Sequence, residues 1–340
     1  MRKLTLWIVF LFSIFVIASC SSPAEPTATE PPVGETVTEE IPPPTIAPPE
    51  ETQAPTVAPP EEGYPAPTNV PATDTGYPAP TVAPPTDTGY PAPTDIPTPI
   101  PLTFPSLDGT QLAGTFYPPL RDQSPVVILM HQFGSDQHQW DTIALWLQTG
   151  QPPAGIEWLP RLDTGITFAV FTFDFRGHGA SAGNASLDAG LLMDAQSAVA
   201  FAKTQPGADP NRVLTIGTSI GADGAVDACL ALNETQIAEA QVSLGCLGAM
   251  AISPGSFIGV NYTDAATALL SDPHQAVVYC VAAEGDGPSP EACNSVTGTR
   301  YIATIYPGSA HGIALFSPDL GFNIGELIHQ FLLDSIQLRQ

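Results

Sequence analysis

A serine between two glycines carries the strongest chemical signal in the chain. The segment Gly217-Thr218-Ser219-Ile220-Gly221 follows the strand-like run 213–216, and small residues that tolerate a helix come after it. At a sharp strand-to-helix turn of this kind, the serine hydroxyl stands exposed with a helix N-terminus behind it. The pattern therefore predicts Ser219 as a nucleophile.

The same five-residue pattern occurs a second time, at residues 179–183. Its serine, Ser181, comes shortly after Arg176-Gly177-His178, and no apolar helix starts directly behind it. Without a strand before it and a helix after it, the pattern does not predict a serine hydroxyl exposed at the edge of a sheet. We therefore interpret Ser181 as a loop residue.

The charge of the chain limits its partners. Its 34 acidic and 9 basic residues give a net charge of −25. A surface this acidic offers no basic patch for a phosphate backbone, so nucleic acid is excluded as an expected partner. A small molecule, such as a short acyl substrate, is the expected ligand.

An apolar segment at the start of the chain predicts export. Arg2 and Lys3 precede the apolar run 4–18, which leads into Ile17-Ala18-Ser19-Cys20. This end resembles the lipobox of bacterial lipoproteins. The resemblance implies a signal peptide over 1–19, a lipidated Cys20 that anchors the protein to the membrane, and an extracytoplasmic location. The alternative is an ordinary secretory signal with an incidental cysteine.

The next stretch, 20–101, has the composition of a linker. It holds 24 of the 39 prolines, and Gly-Tyr-Pro-Ala-Pro-Thr occurs in it three times. Such a composition does not bury a core, so an extended tether is expected. It would lift the following domain off the membrane, near the cell wall. Recognition by a proline-binding module is the alternative.

The remaining residues, 102–340, predict one α/β domain. A hairpin with its turn at Asp108-Gly109 comes first. Apolar runs then alternate with stretches of helical periodicity, which predicts a mostly parallel sheet with helices on both faces. Little chain separates Ser253 from Ala276, so no large lid is expected. The expected later strands are 126–130, 166–173, 213–217, 247–253, 276–281 and 301–306, and the expected helices are 140–147, 187–203, 264–270 and 323–338.

Several loop motifs, in this order and spacing, resemble those of the α/β-hydrolases. They are Asp108-Gly109, 131–134, 174–179, 217–221, 282–287 and 307–312. The closest likeness is to compact serine esterases and the dienelactone-hydrolase-like group. The resemblance implies the α/β-hydrolase fold and a triad whose members follow in the order serine, acid, histidine. A thiol-based reaction is disfavoured because the turn carries serine.

The resemblance points to His311 as the base of the triad. His311 lies in a glycine-rich loop directly after the last expected strand, where this fold presents its histidine. His274 precedes a strand and His329 lies in the terminal helix, so both are less suitable.

The resemblance also points to Asp286 as the acid. It follows the penultimate expected strand, at the place where family members often carry the aspartate. Glu284 remains a competitor, and Asp264 and Asp272 are more distant alternatives.

The fold needs two backbone N–H donors for an oxyanion. By resemblance these are Ile220, after the nucleophile, and Phe133, in the first loop. Gln132 stands where relatives often have glycine, which leaves its own contribution open. His131 is expected to pack the loop, and three further residues are expected to brace the active face: Asp174, Arg176 and His178.

The cysteines suit an oxidising compartment. Apart from Cys20, four remain, and we favour the pairs Cys229–Cys246 and Cys280–Cys293 over four reduced thiols. The helix after Ser219 carries Cys229 about 15 Å down, to the level of Cys246. No common dinucleotide or metal motif occurs, so no cofactor or metal is expected.

These observations together predict a membrane-anchored extracytoplasmic serine hydrolase, most simply a carboxylesterase. A peptidase or an acyltransferase with the same triad is the nearest alternative. A non-catalytic surface-binding lipoprotein that keeps only the fold is the alternative from another class.

Overall fold

The computed structural model describes residues 96–162, 166–239 and 245–337. The predicted signal peptide over 1–19, Cys20 and the linker up to residue 95 lie outside the described residues. Within the three described ranges, no helix combines the length and the apolar character that crossing a membrane requires.

Among the described residues, eight strands form one sheet. The strands are β1 (Ile100–Pro105), β2 (Gln111–Tyr117), β3 (Ser124–Met130), β4 (Ala169–Phe173), β5 (Ala208–Thr218), β6 (Cys246–Ile252), β7 (Val277–Ala283) and β8 (Tyr301–Tyr306). Their order across the sheet is β1-β2-β4-β3-β5-β6-β7-β8. β1 and β2 are antiparallel to their neighbours, whereas β3 to β8 pair in parallel.

The central strands are apolar because both faces of the sheet are covered. Every residue of β3, β4, β6 and β7 is buried. Helices lie along the sheet: α1 (Asp141–Thr149), α2 (Ala189–Ala202), α3 (Ile220–Ala238), α4 (Tyr262–Leu270), α5 (Ser289–Asn294) and α6 (Ile324–Gln337). Parallel strands joined by helical crossovers are the arrangement in which such continuous apolar runs occur.

Alternate side chains of β3 separate the two layers. Val127 and Leu129 join a core to which α1 and α6 contribute, whereas Val126 and Ile128 join a core to which α2 and α3 contribute. Successive side chains of a strand point to opposite faces of the sheet. The predicted mostly parallel sheet with helices on both faces is therefore confirmed.

The structure differs from the expected elements at several boundaries. β1 begins at Ile100, two residues before the expected start of the domain, because Ile100 pairs with Phe116 in the hairpin. β5 begins at Ala208 rather than at Val213, with a register shift opposite Pro125 and Val126. The short helix α5 was not expected, since six residues give too little periodicity to recognise.

The stretch between β6 and β7 is short. It consists of a loop and the nine-residue helix α4, whose first turn is capped by the Asn261 side chain, which accepts from the N–H of Asp264. A segment of this size covers little of the carboxyl edge of the sheet, in agreement with the expectation of no large lid.

Candidate active site

The turn between β5 and α3 holds Ser219 in a strained backbone conformation. Its φ is +54° and its ψ is −117°, a region that residues other than glycine rarely adopt. The Ser219 N–H donates to the carbonyl of Ile252 on β6, over 2.9 Å, and the Ser219 carbonyl accepts from the N–H of Ala222, over 2.8 Å. These two bonds fix the residue at the carboxyl end of β5.

The glycines of the motif are required by close backbone approaches. A Cβ added to Gly217 would lie 1.9 Å from the carbonyl oxygen of Gly221, and one added to Gly221 would lie 2.3 Å from the carbonyl oxygen of Met130. No side chain fits at such distances, so the pattern of Gly217 and Gly221 follows from the sharpness of the turn.

His311 and Asp286 meet in a short hydrogen bond. His311 Nδ1 donates to Asp286 Oδ1 over 2.6 Å, and Asp286 is only 5% exposed. The two residues follow β8 and β7, so both lie at the carboxyl edge of the sheet. The competing acid, Glu284, is exposed, and its carboxylate accepts no hydrogen bond from a described residue. The structure thus brings Asp286, and not Glu284, to the histidine.

The histidine loop packs directly against the nucleophile turn. A Cβ added to Gly312 would lie 3.5 Å from Cβ of Thr218, the residue before Ser219. The N–H of Gly312 also donates to Ser253 Oγ, just beyond β6, over 2.8 Å. The loop after His311 therefore packs near Thr218, the residue before Ser219, and 42% of the His311 side chain is exposed.

The Ser219 hydroxyl forms no hydrogen bond with a described residue, His311 included. Contacts between a nucleophile and its base are often long before substrate binds, and they shorten in the substrate complex. The other two downstream histidines lie elsewhere. His274 precedes β7, at the amino end of the sheet, and His329 lies in α6 beside a small apolar cavity with Leu162 and Ile166.

The loop after β3 orients the N–H of Phe133. The Gln132 carbonyl accepts from His131 Nδ1 over 2.7 Å and from the N–H of Ser135 over 3.2 Å. In a trans peptide the N–H points away from the carbonyl, so these bonds also set the direction of the Phe133 N–H. That N–H donates to no described residue.

Ile220 is the first residue of α3, where the N–H has no partner inside the helix. The positive end of the helix dipole lies at the same place and favours negative charge. Ile220 directly follows the strained serine, and the loop of Phe133 follows Met130 of β3, whose carbonyl lies against Gly221. The use of these two N–H groups as oxyanion donors stays a prediction.

His131 serves the loop rather than proton transfer. Its Nε2 accepts from the N–H of Phe175 over 2.9 Å, so the ring is neutral and donates through Nδ1 to the Gln132 carbonyl. Burial lowers the pKa of His131 to about 4. A histidine that is neutral and bonded on both nitrogens is a packing element.

The segment 174–183 braces the active face. Buried Asp174 accepts from the N–H and side-chain amide of Gln137, over 2.7 and 3.1 Å, and from the N–H of Ala180, over 2.8 Å. The Arg176 guanidinium donates two hydrogen bonds to buried Asp194, 2.8 and 2.9 Å long, and one to Asp108. These neighbours raise the pKa of the Arg176 guanidinium above its usual range. His178 packs between the rings of His131 and Phe133.

Ser181, the second serine of the motif, is part of this brace. Its hydroxyl donates to the Asp174 carbonyl over 2.6 Å and accepts from the N–H of Ala113 over 2.8 Å. The hydroxyl is therefore used in joining the loop to β2, and Ser181 is a loop residue, as expected.

The helix behind the nucleophile carries two buried carboxylates. Asp223 accepts from the N–H groups of Gly255, over 3.1 Å, and of Phe257, and so holds the loop after β6. Burial raises the pKa of Asp223 to about 6. Asp227, one turn further along, has no described partner for either oxygen. Burial, together with the charge of Asp223, raises the pKa of Asp227 to about 8.

The four domain cysteines form two disulfides in the structure. Cys229 of α3 is joined to Cys246 of β6, and Cys280 of β7 is joined to Cys293 of α5, each with a Cα–Cα separation of 5.4 Å. The second bridge encloses the loop that carries Asp286. Among the residues that the structure describes, no group of three or more His, Cys, Asp or Glu is arranged to hold a metal ion.

Comparison with known proteins bears on the fold. No protein-family model matches the chain. A solved structure from Agrobacterium tumefaciens, described as a candidate alpha/beta hydrolase of unknown function, superposes with a TM-score of 0.50 at 19% identity, covering 70% of this chain and 97% of that one. Together with the sheet order and the strained serine turn, this likeness shows that the described residues have the α/β-hydrolase fold.

The sequence relatives cover only part of the chain. YfhR of Salmonella typhi, an uncharacterized protein, is 31% identical over 129 residues, which are 37% of this chain and 39% of the relative. YfhR of Escherichia coli K12 is 33% identical over 129 residues, with 36% and 39% covered. The chain thus matches about two fifths of the length of these relatives.

Proposed function

We propose that the protein is a membrane-anchored extracytoplasmic serine hydrolase that cleaves carboxylic esters through Ser219, His311 and Asp286. The observation that carries the proposal is the 2.6 Å bond between His311 Nδ1 and Asp286 Oδ1, at the same edge of the sheet as a serine held at a φ of +54°. A strained serine, a histidine and a buried acid at one sheet edge are the parts that activate a serine hydroxyl.

The first half of the reaction is acyl transfer to the enzyme. Ser219 Oγ attacks the carbonyl carbon of the ester while His311 Nε2 takes the hydroxyl proton. Asp286 keeps the proton on Nδ1 and stabilises the imidazolium that forms. The negative charge on the carbonyl oxygen is met by the N–H groups of Phe133 and Ile220.

Loss of the alcohol completes the acyl transfer, and hydrolysis, the second half of the reaction, then returns the serine. The carbon–oxygen bond to the alcohol breaks as His311 gives its proton to the leaving oxygen, which leaves an ester on Ser219. A water molecule then attacks this ester, with His311 again taking a proton, and the acid is released as Ser219 regains its hydrogen.

The place of the reaction follows from the N-terminal sequence. The lipobox-like Ile17-Ala18-Ser19-Cys20 supports export, removal of residues 1–19 and lipidation of Cys20. The proline-rich linker would then hold the hydrolase domain away from the membrane. A fatty-acid label is expected to be incorporated into the wild-type protein and not into Cys20→Ala. A wild type that takes up no label would contradict the anchor.

A fluorophosphonate probe tests the nucleophile. The probe should label the wild-type protein and Ser181→Ala, but not Ser219→Ala. Ser181→Ala is the matched control because it alters the same motif at the other copy. An unlabelled wild type would favour a binding lipoprotein, and labelling of Ser219→Ala would place the reactive nucleophile at another residue.

The class of bond is tested by p-nitrophenyl esters of increasing chain length alongside peptide anilides. Ester hydrolysis should be lowered by about 10⁶-fold in kcat by Ser219→Ala, the size of loss found when a triad serine is removed. Cleavage of anilides at rates equal to those of the esters would replace the esterase proposal by a peptidase.

A further inference from the structure

The backbone after His311 is held from two sides by side chains that no motif required. The N–H of Gly312 donates to Ser253 Oγ, and the N–H of Ile313 donates to Gln132 Oε1, each over 2.8 Å. Ser253 follows β6 and Gln132 follows β3. We propose that Gln132 and Ser253, together called the clamp, are positioning residues that place the His311 imidazole for proton transfer; this rests on the proposed function.

The histidine needs such support because its side chain has one anchor. The imidazole bonds to Asp286 Oδ1, while Asp286 Oδ2 has no described partner. One hydrogen bond fixes the tautomer but lets the ring pivot about it. The position of Nε2 therefore depends on the backbone of residue 311, and the clamp holds the two N–H groups that follow it.

Ser253 is itself fixed. It is fully buried with a φ of +60°, and its N–H donates to the carbonyl of Val281 over 2.7 Å. A residue other than glycine at this φ is uncommon, and such strain persists only where the surroundings impose it. Its hydroxyl is thereby aimed at the Gly312 N–H.

The contact at Gln132 is equally close. Gly312 has a φ of +56°, and a Cβ added to it would lie 2.2 Å from Gln132 Oε1. Gln132 stands where the resemblance predicts glycine, a residue without an acceptor side chain. The glutamine at this position therefore provides the acceptor that joins the loop after β3 to the histidine loop after β8.

The clamp also joins the loop after β3 and the loop after β8 near the nucleophile turn. Gln132 directly precedes Phe133, and Gly312, to which Ser253 bonds, packs near Thr218. Loss of either clamp bond should let the imidazole shift relative to Ser219 without removing any reacting group. A shift of about 1 Å at a reacting group lowers rates by roughly 10²-fold.

The test uses three variants of the full chain. Gln132→Leu and Ser253→Ala each remove one acceptor, and Gln132→Glu keeps an acceptor oxygen. We expect kcat for p-nitrophenyl acetate to fall by roughly 10–100-fold in Gln132→Leu and Ser253→Ala, with KM changed by less than threefold. The kcat of Gln132→Glu should be at least tenfold higher than the kcat of Gln132→Leu.

A matched control separates positioning from general destabilisation. Ser335→Ala removes another buried serine hydroxyl, which donates to the Phe331 carbonyl in α6 over 2.7 Å, far from the histidine loop in sequence. Ser335→Ala should lower the free energy of unfolding about as much as Ser253→Ala does, and it should leave kcat unchanged. Equal losses of kcat in Ser335→Ala and Ser253→Ala would overturn the proposal.

Proton NMR tests the clamp without substrate, and therefore independently of the proposed reaction. The His311 Nδ1 proton, bonded to Asp286, should give a downfield proton NMR signal that is sharp in the wild type and in Ser335→Ala. It should shift or broaden in Gln132→Leu and Ser253→Ala. A wild type without hydrolysis would overturn the proposed function alone, whereas an unchanged signal in both variants would overturn the clamp.

Discussion

Two regions of the molecule share one sequence pattern and differ in almost every physical respect. In the nucleophile turn (residues 217–221), Ser219 has a φ of +54° and a hydroxyl with no described partner. In the bracing loop (residues 174–183), the Ser181 hydroxyl forms two hydrogen bonds, 2.6 and 2.8 Å long. A pattern of glycine and serine therefore marks a turn, and the surrounding bonds decide whether its hydroxyl is free to react.

Buried carboxylates repeat the contrast. Asp174 of the bracing loop is satisfied by three donors. Asp227, behind the nucleophile turn, has two oxygens without described partners. The bracing loop is built for stability, whereas the region of Ser219 retains strain and unsatisfied polar atoms. Sites that act chemically commonly carry such features at a cost to stability.

The largest expected effect separates the last glycines of the two patterns, Gly221 and Gly183. Gly221→Ala would place a Cβ 2.3 Å from a backbone oxygen of Met130, whereas in Gly183→Ala the nearest atom, Arg176 Cβ, lies 3.2 Å away. Gly221→Ala should lose more than about 4 kcal/mol of unfolding free energy, or fail to fold. Gly183→Ala, strained by its φ of +88° and by this close but adjustable contact, should lose roughly 1–3 kcal/mol.

Urea unfolding of the two purified variants, with ester hydrolysis measured alongside, checks this ranking. Gly183→Ala should retain most of the activity. Equal stability of the two variants would mean that the nucleophile turn can relax, and that its glycines are not fixed by close packing.

A second effect concerns the donors around Asp174. Asp174→Ala leaves the N–H groups of Gln137 and Ala180 without their acceptor inside the fold. The buried Gln137 N–H costs about 1–3 kcal/mol when unsatisfied, and the part-buried N–H of Ala180 adds less, so we expect a loss of roughly 1–4 kcal/mol. Thermal unfolding measures it, with exposed Asp319→Ala as the control. A loss below that of the control would show that the bracing loop is not stabilised by this carboxylate.

A third effect depends on pH. Burial raises the pKa of Asp227 to about 8 from an ordinary value of 3.8. Above pH 4 the unfolded chain loses this proton while the folded chain keeps it, so the contribution to stability falls as the pH rises toward 8. Asp227→Asn has no proton to lose. It should therefore gain stability relative to the wild type between pH 5 and pH 9, by about 1–3 kcal/mol.

Urea titrations at pH 5, 7 and 9 follow this difference. Asp319→Asn, which changes an exposed carboxylate, should show no comparable trend. A difference between Asp227→Asn and wild type that stays constant with pH would mean that Asp227 ionises normally in the folded protein.

The sequence predicted the strands and helices more completely than it predicted the side-chain contacts of the candidate site. Apolar runs predicted the strands around Ser219 because fully buried parallel strands have continuous apolar sequences. The choice between Asp286 and Glu284 stayed open, since it depends on which carboxylate turns inward after β7. Ser253 gave no signal, because neither its φ of +60° nor its bond to Gly312 has a local sequence pattern. Gln132 did give one, as a departure from the expected glycine.

The smallest expected effect returns to the two serines. Ser181→Ala removes an acceptor for the N–H of Ala113 and a donor to the carbonyl of Asp174, which should cost about 1–2 kcal/mol, with ester hydrolysis within twofold of wild type. Ser219→Ala removes a hydroxyl without described partners, so its unfolding free energy should stay within about 0.5 kcal/mol of wild type or rise. Paired urea titrations measure both. A larger loss of stability in Ser219→Ala than in Ser181→Ala would mean that the nucleophile's hydroxyl is a structural group as well.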